Sequence, residues 1–508
     1  MNKIKFLLFF TFIVGIISAQ TFEEKKITLR ENGLKYTADR NYIFNTGSDE
    51  NAYYIAYYDV FQGLTTKNQP LILLIIGKDF KNHKKVELKV SKEETLYSIA
   101  FAKDNIFIIA YKYDKKKKET AILLKRYSKT TGEFIDNKIL ASISTPTKHN
   151  ILLVAASPDK KKYAITYLAG KKGDIFDSFY EFVLDLENNA EVIRKDIHKL
   201  NVSNSVFGIS GIAINNDAVL MLVFDSKPQN KRDEDSKFYI DGRVIGENIN
   251  ESFSFNFDGK LFDSRLKVLN NGNFFFAYVT SNPKGNYIID PGFLKTFIFD
   301  VERNEVSENY LSVMPELDYR SRAVILNGNL IPSKPIFSLG INSLVELDNG
   351  EIAVVMTQQL MVIIQNQGVA MITHLRGEIL TAFANKDGVI ENYDTYNRFQ
   401  KSDQSKYLGL FAFAKGNNLY YMFNENPDNF IDKDRTKTRI FKNYNDAVIV
   451  CNKLANGEKS EIIFVTEKTG KDNKCLQSIV LRDDDNKNKF IVLTMNKETI
   501  DFEILNLE

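Results

Sequence analysis

The residue types that most often do chemistry are few and widely spaced in this chain. It contains four histidines and two cysteines: His83, His149, His198, His374, Cys451 and Cys475. No two of the histidines are close enough for a paired-histidine zinc motif, and two cysteines are too few for a four-cysteine site. A histidine without a neighbouring ligand is more often a surface residue or a satisfied core residue. The sequence therefore predicts no zinc centre.

Three short segments contain fragments of serine nucleophile motifs. Residues 208–211 (Gly-Ile-Ser-Gly) fall short of the Gly-x-Ser-x-Gly elbow, and we interpret them as a turn. Residues 157–160 and 281–284 match Ser-x-x-Lys but lack the companion motifs and the helix that would present them. A phosphate-binding glycine loop is also missing. We therefore predict no catalytic residue from motifs.

Three acidic loops contain enough oxygen ligands to attract calcium: residues 233–235, 428–434 and 483–486. None has the spacing of an EF-hand, with its central glycine and its terminal glutamate. Solvated hairpin tips explain these loops better. We expect no cofactor, with calcium as the one alternative.

The two cysteines leave two structural hypotheses open. In an oxidising compartment Cys451 and Cys475 could form one disulfide bridge. Equally, they could be separate buried thiols, since cysteine is among the most buried residue types.

The overall composition excludes several classes of protein. The chain has 508 residues, of which 44% are hydrophobic and 12% aromatic, as expected of a globular protein and not of a disordered one. Lysine and arginine total 67 against 65 aspartates and glutamates, for a net charge of +2. Such a balance provides no basic field for sequence-independent binding of nucleic acid. We expect no nucleic-acid partner.

The first 20 residues have the pattern of an export signal. Two lysines precede an apolar run at residues 6–17, and small residues follow at 18–19. The run is shorter than the roughly 20 residues of a spanning helix. We predict a signal peptide at residues 1–19, and a mature chain that begins at Gln20 without a membrane span. No cysteine lies near this cleavage site, so lipid attachment there is not expected.

One phrase, a polar turn followed by an apolar strand, recurs along the mature chain. Its eight copies have strands that begin at Ala52, Ile106, Tyr163, Ala218, Phe274, Ile352, Leu419 and Phe490. The first four intervals between these starts are 54, 57, 55 and 56 residues. A strand-rich unit repeated at a near-constant interval is typical of a β-propeller. The strands at 106–111 and 352–356 are apolar on both faces, as expected of inner strands packed between blades.

These repeats predict an all-β fold, a single β-propeller over residues 20–508 with long inter-strand loops. We favour seven blades, because ring closure usually combines strands from both ends of the chain; eight is the alternative. The longest interval predicts an insertion near residues 282–340. Separate sandwich domains are the structural competitor, but the proline-rich and glycine-rich linkers that they need are missing.

Two parts of the chain resemble known proteins. Residues 157–164 are similar to the Ser-Pro-Asp-Gly-Lys-Tyr-Leu hairpin of many propellers. Residues 340–508, with the segments 348–352 and 411–429, resemble exported propeller-like proteins of Bacteroidota, most of which lack an assigned activity. The junction at residues 17–20 also resembles signal peptides of that phylum. The resemblance implies an architecture and a compartment, and it transfers no catalytic residue.

The tail of the chain bears on its location. Proteins of that phylum that use type IX secretion usually end in a small sorting domain, whereas residues 499–508 have the pattern of the last strand of the repeat. We therefore expect a periplasmic protein, with release from the cell as the alternative.

Two functions remain from the sequence. The first is a non-catalytic exported propeller that binds a protein partner in a cell-envelope assembly, for instance as a soluble partner of the type IX outer-membrane translocon. The alternative is a hydrolase or glycan-binding propeller with carboxylates at the central channel. Lysine runs at residues 115–118 and 160–162 are interpreted as solubilising hairpin ends.

Overall fold

The structure is a computed structural model in which β-strands account for almost all regular elements. It describes residues 22–27, 41–59, 71–79, 82–91, 93–144, 150–170, 176–200, 205–227, 238–257, 259, 261–281, 291–308, 310–314, 324–326, 329–331, 338–366, 369–396, 398, 400–402, 408–431, 448–456, 458, 460–465, 475–482, 489–495 and 500–506. The predicted signal peptide lies outside these residues. Within them, no helix has the length and apolar character needed to cross a membrane.

The strands follow one another along the chain with a single short helix among them. The first half contains β1 (Phe22–Ile27), β2 (Asn41–Ser48), β3 (Ala52–Asp59), β4 (Leu71–Gly77), β5 (His83–Leu88), β6 (Thr95–Phe101), β7 (Asn105–Asp114), β8 (Glu119–Ser128), β9 (Phe134–Ser144), β10 (Asn150–Ala156), β11 (Lys162–Gly170), β12 (Phe176–Asp185), β13 (Glu191–Lys199), β14 (Ser205–Ile214), β15 (Leu220–Lys227), β16 (Phe238–Ile245) and β17 (Asn250–Phe257). The second half contains β18 (Leu261–Val268), β19 (Phe274–Ser281), β20 (Pro291–Asp300), β21 (Glu305–Val306), β22 (Tyr310–Val313), β23 (Val324–Leu326), β24 (Asn329–Ile331), β25 (Ser338–Glu346), β26 (Ile352–Asn366), β27 (Val369–Ala384), β28 (Ile390–Tyr396), β29 (Gln400–Ser402), β30 (Leu410–Lys415), β31 (Asn418–Glu425), α1 (Asp428–Ile431), β32 (Val448–Ala455), β33 (Glu461–Val465), β34 (Cys475–Arg482), β35 (Lys489–Met495) and β36 (Ile500–Asn506).

These strands form antiparallel sheets of four or five strands, the blades of a β-propeller. In order they are blade 1 (β2–β5), blade 2 (β6–β9), blade 3 (β10–β13), blade 4 (β14–β17), blade 5 (β18–β22), blade 6 (β25–β29), blade 7 (β30–β33) and blade 8 (β34–β36 with β1). The described residues thus form eight blades, which is the larger of the two numbers that the sequence allowed. The N-terminal strand β1 pairs with β36 and is the fourth strand of blade 8.

The repeat phrase marks the second strand of every blade. Its eight copies coincide with β3, β7, β11, β15, β19, β26, β31 and β35. These are internal strands of their sheets, as the sequence predicts, and the first strand of each blade lies closer to the axis. Their two apolar faces are explained by the neighbouring blades, which cover both sides: every side chain of β19 is buried.

A polar side chain shapes the turn between the first two strands of several blades. In blade 1, Asp49 Oδ1 accepts hydrogen bonds from the backbone N–H groups of Asn51 and Ala52 at 2.8 and 2.9 Å. In blade 4, Asn215 Oδ1 accepts from Asp217 and Val219 at 3.0 and 2.9 Å. Such bonds satisfy the donors that a tight turn leaves unpaired. They explain why Asp and Asn recur in the turns before these strands.

The hydrophobic core lies between blades and not inside any one of them. One cluster joins Ile109 and Leu124 of blade 2 to Ile165 and Phe182 of blade 3. Further clusters join blades 1 and 2, 3 and 4, 4 and 5, 5 and 6, and 6 and 7 in the same way. Each blade therefore depends on its neighbours for the burial of its faces.

The first strands form a closed ring around the axis. Each lies against the first strand of the next blade, from β2 through β34 and back to β2. The beginnings of β18, β25 and β30 line one cavity, and the ends of β2, β6 and β10 line another. We call the end of the ring where the first strands begin the upper end, and the opposite end the lower end.

Blades 5 and 6 depart most from the common pattern. Blade 5 has an additional strand, β22, which pairs with β20, and the two-stranded hairpin β23–β24 follows before blade 6, within the segment where the sequence predicts an insertion. In blade 6, β26 and β27 pair from Ile352–Ala384 out to Asn366–Val369, well beyond the other strands of that blade. The hairpin extends beyond the blade from Gln359, which lies at the upper end.

Candidate functional site

Of three cavities that described residues line, the largest lies at the upper end, beside the axis. It has a volume of about 490 Å³ and is lined by the beginnings of the first strands of blades 5, 6 and 7. Its charged lining residues are Asp263 and Arg265 on β18 and Arg376 on β27. An apolar wall is formed by Leu408, Leu410 and Phe411 of blade 7. The cavity thus combines a few polar groups with an apolar wall, as small-molecule sites do.

Two side chains of β18 hold the backbone of the neighbouring blade at this cavity. The N–H of Ile341 donates to Asp263 Oδ2 at 2.8 Å, and Arg265 Nε donates to the Ile341 carbonyl at 3.1 Å. The N–H of Ser264 donates to Asp263 Oδ1 at 2.9 Å. Both strands shift register here, β18 between Leu261 and Asp263 and β25 just after Ile341. Bulges of this kind re-aim side chains, and here they turn Asp263 and Arg265 toward the cavity.

Burial raises the pKa of Asp263 above its ordinary value. The two backbone N–H donors and the positive charge of Arg265 oppose this rise without cancelling it. Desolvation is therefore the dominant influence on this carboxyl group. A carboxyl whose neutral form is favoured inside a cavity is a candidate for a functional role.

A glycine makes room for polar side chains in the same wall. A Cβ at position 340 would lie 2.0 Å from Gln359 Nε2 and 3.3 Å from Asp263 Oδ2. Any larger residue at 340 would displace the amide of Gln359 from the cavity wall. Gly340 therefore explains how the Gln359 amide of β26 and the Asp263 carboxylate of β18 can lie so close to the backbone of β25.

A buried arginine lies behind the cavity, between blades 6 and 7. Arg398 is fully buried, its Nε donates to the carbonyl of Gly377 at 3.4 Å, and its guanidinium lies 5.3 Å from the ring centroid of Phe423. Burial lowers the pKa of Arg398 to about 10, an effect that Glu425 opposes and Arg376 adds to. Desolvation likewise lowers the pKa of Arg376. Two arginines thus share this part of the upper end.

A second pocket adjoins the first through Asp263. It has a volume of about 290 Å³, lies between blades 4 and 5, and is also lined by Asp225. Three aromatic rings contribute to it, those of Phe238, Phe257 and Phe262. Ser210 Oγ donates to Asp225 Oδ1 at 3.3 Å. Two carboxylates beside aromatic rings are what the alternative function, glycan chemistry at the channel, requires.

The segment 208–211 is a strand and not the turn that the sequence suggested. It lies inside β14, where the register shifts on both sides of Ile209. A Cβ at Gly208 would lie 2.4 Å from Asp225 Oδ1, and one at Gly211 would lie 2.7 Å from Leu266 Cβ. These glycines are needed for close approach at bulges, which explains a pattern that imitates a turn.

The lower end carries a smaller and more fully packed pocket. Its volume is about 230 Å³, and the ends of β2, β6 and β10 line it. The hydroxyls of Ser98 and Tyr163 are hydrogen-bonded at 2.6 Å inside it. A Cβ at Gly47 would lie 2.5 Å from the ring of Phe101, so Gly47 allows this ring to approach the backbone.

A buried ion pair fixes the turn of blade 1 at the same end. Lys129 is almost fully buried and forms an ion pair with Asp49, and its Nζ also donates to the carbonyl of Ala102 at 2.7 Å. The hydroxyl of Tyr54 donates to Asp49 Oδ2 at 2.9 Å. Burial opposes the charge of Asp49, but the bonds from Lys129 and from the turn outweigh it and hold the pKa of Asp49 below its ordinary value.

One of the four histidines has a defined structural role. His198 Nε2 lies 2.7 Å from Glu181 Oε2, and Arg194 Nε lies 2.5 Å from Glu181 Oε1. The ring of His198 stacks on that of Phe179 at 4.8 Å. Glu181 is fully buried, so these two partners compensate for its desolvation. His198 is a satisfied core residue, as the sequence favoured.

The outer strands of blades 2 and 3 expose large apolar side chains. On β9 these are Phe134, Ile135 and Ile139, and on β13 they are Ile193 and Ile197. We call these five residues the rim patch. Ile139 and Ile197 are 60% and 56% exposed.

The two strands that carry the rim patch adjoin each other. Lys195, which lies between the two isoleucines of β13, donates from Nζ to the Leu140 carbonyl on β9 at 3.2 Å. Two further apolar side chains, Leu311 and Val313, are exposed on β22 of blade 5.

The other residues that the sequence singled out are not brought together. His83 lies on β5 and His374 on β27, while His149 and the acidic residues 233–235, 432–434 and 483–486 lie outside the described part. Asp428 and Asn429 lie in α1. No group of three or more potential metal ligands occurs among the residues that the structure describes. Calcium binding stays a prediction.

The lysine runs lie where the sequence predicts. Lys115, Lys116, Lys117 and Lys118 form the exposed turn between β7 and β8, where Asp114 Oδ1 accepts hydrogen bonds from the N–H groups of Lys116 and Lys117. The run at residues 160–162 lies at the turn from β10 to β11.

Cys451 is fully buried on β32, and burial raises the pKa of its thiol. Cys475 begins β34, and its side chain lies outside the described part. The pairing of these two cysteines stays a prediction.

Comparison with known proteins yields likeness in fold only. No protein-family model and no curated protein sequence matches the chain. Among solved structures, the β-propeller domain of the Trilobed protease from Pyrococcus furiosus is 10% identical, with a TM-score of 0.35 over 85% of this chain and 98% of that one. Prolyl oligopeptidase B from Galerina marginata is 8% identical, with a TM-score of 0.39 over 91% of this chain and 56% of that one. A polysaccharide lyase, ulvan lyase, is 11% identical, with a TM-score of 0.35 over 80% of this chain and 91% of that one.

Proposed function

We propose that this propeller is a protein-binding component of a cell-envelope assembly and that it binds its partner through the rim patch. The observation that carries the proposal is the exposure of five large apolar side chains on two adjoining outer strands. Exposed apolar groups that lie together mark interaction sites, since water contact with them is unfavourable. Outer strands also leave one backbone edge for a partner strand.

The axial cavities give weaker support to an enzyme. Of the described residues that line the largest cavity, Asp263 is the sole carboxylate, and each of its oxygens already accepts a backbone N–H. General acid–base catalysis by paired carboxylates needs a second such group in reach. A binding role therefore fits the upper cavity better than hydrolysis does.

The compartment is part of the proposal. The pattern of residues 1–19 and the resemblance to exported proteins of Bacteroidota support a periplasmic location for the mature chain, with release from the cell as the alternative. One concrete version of the partner is an outer-membrane component of the type IX secretion translocon, which rests on that resemblance alone.

A pull-down from the native envelope tests this function. The tagged protein should recover a partner in stoichiometric amount, and the double variant Ile139→Glu/Ile197→Glu should lose it, because two carboxylates replace the apolar contacts. The matched control is Ser252→Glu/Asn256→Glu on β17, the exposed outer strand of blade 4. The proposal fails if the wild type is recovered alone, or if both double variants retain the partner equally.

A second candidate function is glycan binding or hydrolysis in the pocket between blades 4 and 5. Asp225 and Asp263 both line that pocket, beside three phenylalanine rings. An oligosaccharide array with the wild type and Asp225→Asn tests it. Retained glycan that the variant no longer binds would favour this candidate, and an array without any retained glycan would dismiss it.

A further inference from the structure

The upper cavity has the size and the two-sided lining of a ligand site. Its volume of about 490 Å³ falls within the range of roughly 300 to 1,000 Å³ that small-molecule pockets occupy. One wall is apolar and consists of Leu408, Leu410 and Phe411; the opposite side carries Arg265 and Arg376. This site is distant in the fold from the rim patch, because it belongs to blades 5 to 7 and not to blades 2 and 3.

Arg265 directs part of its guanidinium to the cavity. Its Nε is engaged by the Ile341 carbonyl at 3.1 Å, which fixes the side chain across two blades. Among the described residues, its two Nη atoms have no hydrogen-bond partner. Arg265 is exposed although it lies on a first strand, because the cavity opens beside it. A guanidinium held at one nitrogen and open at the others is preorganised to receive a planar anion.

More basic than acidic side chains line the cavity among the described residues. Two guanidinium groups face one carboxylate, and both oxygens of that carboxylate accept backbone N–H donors. Arg398 lies behind Arg376. Burial lowers the pKa of Arg398, and the positive charge of Arg376 lowers it further. Glu425 opposes this effect at Arg398 and does not line the cavity. Arg265 and Arg376 both line the cavity, so an anion that enters it can reach either guanidinium.

We infer that this cavity binds an organic carboxylate with an apolar body, its carboxylate held by Arg265 and Arg376 and its body against Leu408, Leu410 and Phe411. Arginine pairs with carboxylates through two parallel hydrogen bonds, which give direction as well as affinity. The apolar wall distinguishes such a ligand from an inorganic anion, which has nothing to bury there. The amides of Asn342 and Gln359 and the hydroxyls of Ser343 and Thr357 can bind polar groups of the same ligand.

Calorimetric titration with three probes tests this inference. N-acetyl-L-phenylalanine has both a carboxylate and an apolar body, its carboxamide lacks the charge, and D-glucuronate lacks the apolar body. We expect the first probe to bind at least about tenfold more tightly than either of the others, since a charge-assisted pair is lost with the amide and apolar burial with the sugar acid. Equal binding of the acid and the amide would overturn the inference, as would tightest binding of glucuronate or no binding of any probe.

Variants locate the site and separate binding from folding. Arg376→Gln should weaken the binding of N-acetyl-L-phenylalanine at least about tenfold, and Arg265→Gln should do the same, with thermal unfolding as the check on structure. Arg303→Gln is the control, because Arg303 is 78% exposed and lies outside the cavity. Unchanged affinity in both cavity variants would overturn the inference. Because the rim patch is intact in all of them, partner recovery from the envelope is expected to be unaffected.

Discussion

Asp49 and Asp263 lie at opposite ends of the ring of first strands and are stabilised in opposite ways. At the lower end, Asp49 has a lysine, a tyrosine hydroxyl and two turn N–H groups as partners, and its pKa lies below the ordinary value. At the upper end, Asp263 has two backbone donors and a nearby arginine, and burial keeps its pKa above the ordinary value. The difference shows that side-chain and turn partners favour the charged carboxylate at the lower end, whereas burial dominates at the upper end, where the carboxyl lines an open cavity.

The largest effect should come from removing the partner of Asp49. Lys129→Met leaves a partly buried carboxylate without its cation and the Ala102 carbonyl without its donor, and we expect a loss of about 3 kcal/mol in the free energy of unfolding. Chemical denaturation measures this loss. The double variant Asp49→Asn/Lys129→Met should recover part of it, since no charge is then left unpaired. A single variant as stable as the wild type would show that the ion pair does not hold the lower end.

Two glycine substitutions compare the packing of the two ends directly. In Gly47→Ala the new Cβ meets the ring of Phe101, which is stacked on Tyr54, and we expect a loss of about 2 kcal/mol. In Gly340→Ala the Cβ meets the far end of Gln359, which can swing into the cavity, and the expected loss is below about 1 kcal/mol. Thermal unfolding of the two variants gives the order. The reverse order would contradict the view that the upper end is the open one.

The hydrogen bond in the lower pocket should have a smaller effect. Tyr163→Phe removes the hydroxyl that lies 2.6 Å from Ser98 Oγ, and we expect a loss of about 1 kcal/mol. The variant Ser98→Ala is the matched comparison, because it breaks the same bond from the less buried side. A cost close to zero in both variants would mean that water replaces the bond fully.

The pH dependence of stability should have opposite signs at the two ends. The lowered pKa of Asp49 gives stability that is present above the ordinary aspartate pKa and is lost as pH falls through the folded value. The raised pKa of Asp263 gives stability that is present at low pH and is lost as pH rises from the ordinary value through the folded one.

Unfolding measured from pH 3 to pH 7 tests this difference in sign. Relative to the wild type, Asp49→Asn should become less stable as pH rises over this range, and Asp263→Asn should become more stable. The same slope in both variants would remove the distinction between the two ends.

Much of the fold could be predicted because the second strand of each blade needs apolar residues. A strand covered by a blade on each side must be apolar on both faces, so Phe274 and its neighbours are recognisable from their residue types alone. The number of blades was harder to predict. The sequence of a short N-terminal strand such as β1 does not show which C-terminal strands it pairs with, and the number of blades depends on that pairing.

The candidate sites could not be predicted from the sequence in the same way. Asp263, Arg265 and Arg376 come from different strands, and bulges in β18 and β25 decide where the first two side chains point. Ile139 and Ile197 have the same residue types as core positions, and only their place on outer strands exposes them. Glycines at positions 208 and 211 were available as a signal of close approach, yet the same residues also indicate turns.

The pairing of β1 with β36 has a consequence for how the chain folds. Phe22 lies opposite Leu505, so the last blade joins residues from opposite ends of the sequence. Pairing β1 with β36 closes a loop of almost the whole chain, which costs conformational entropy. This cost is smaller once the intervening blades have formed, because they bring β1 and β36 closer together. Ring closure should therefore be the slow, late step of folding, and a chain that lacks β1 should form blades readily but leave the edge of β36 open to pairing with another molecule.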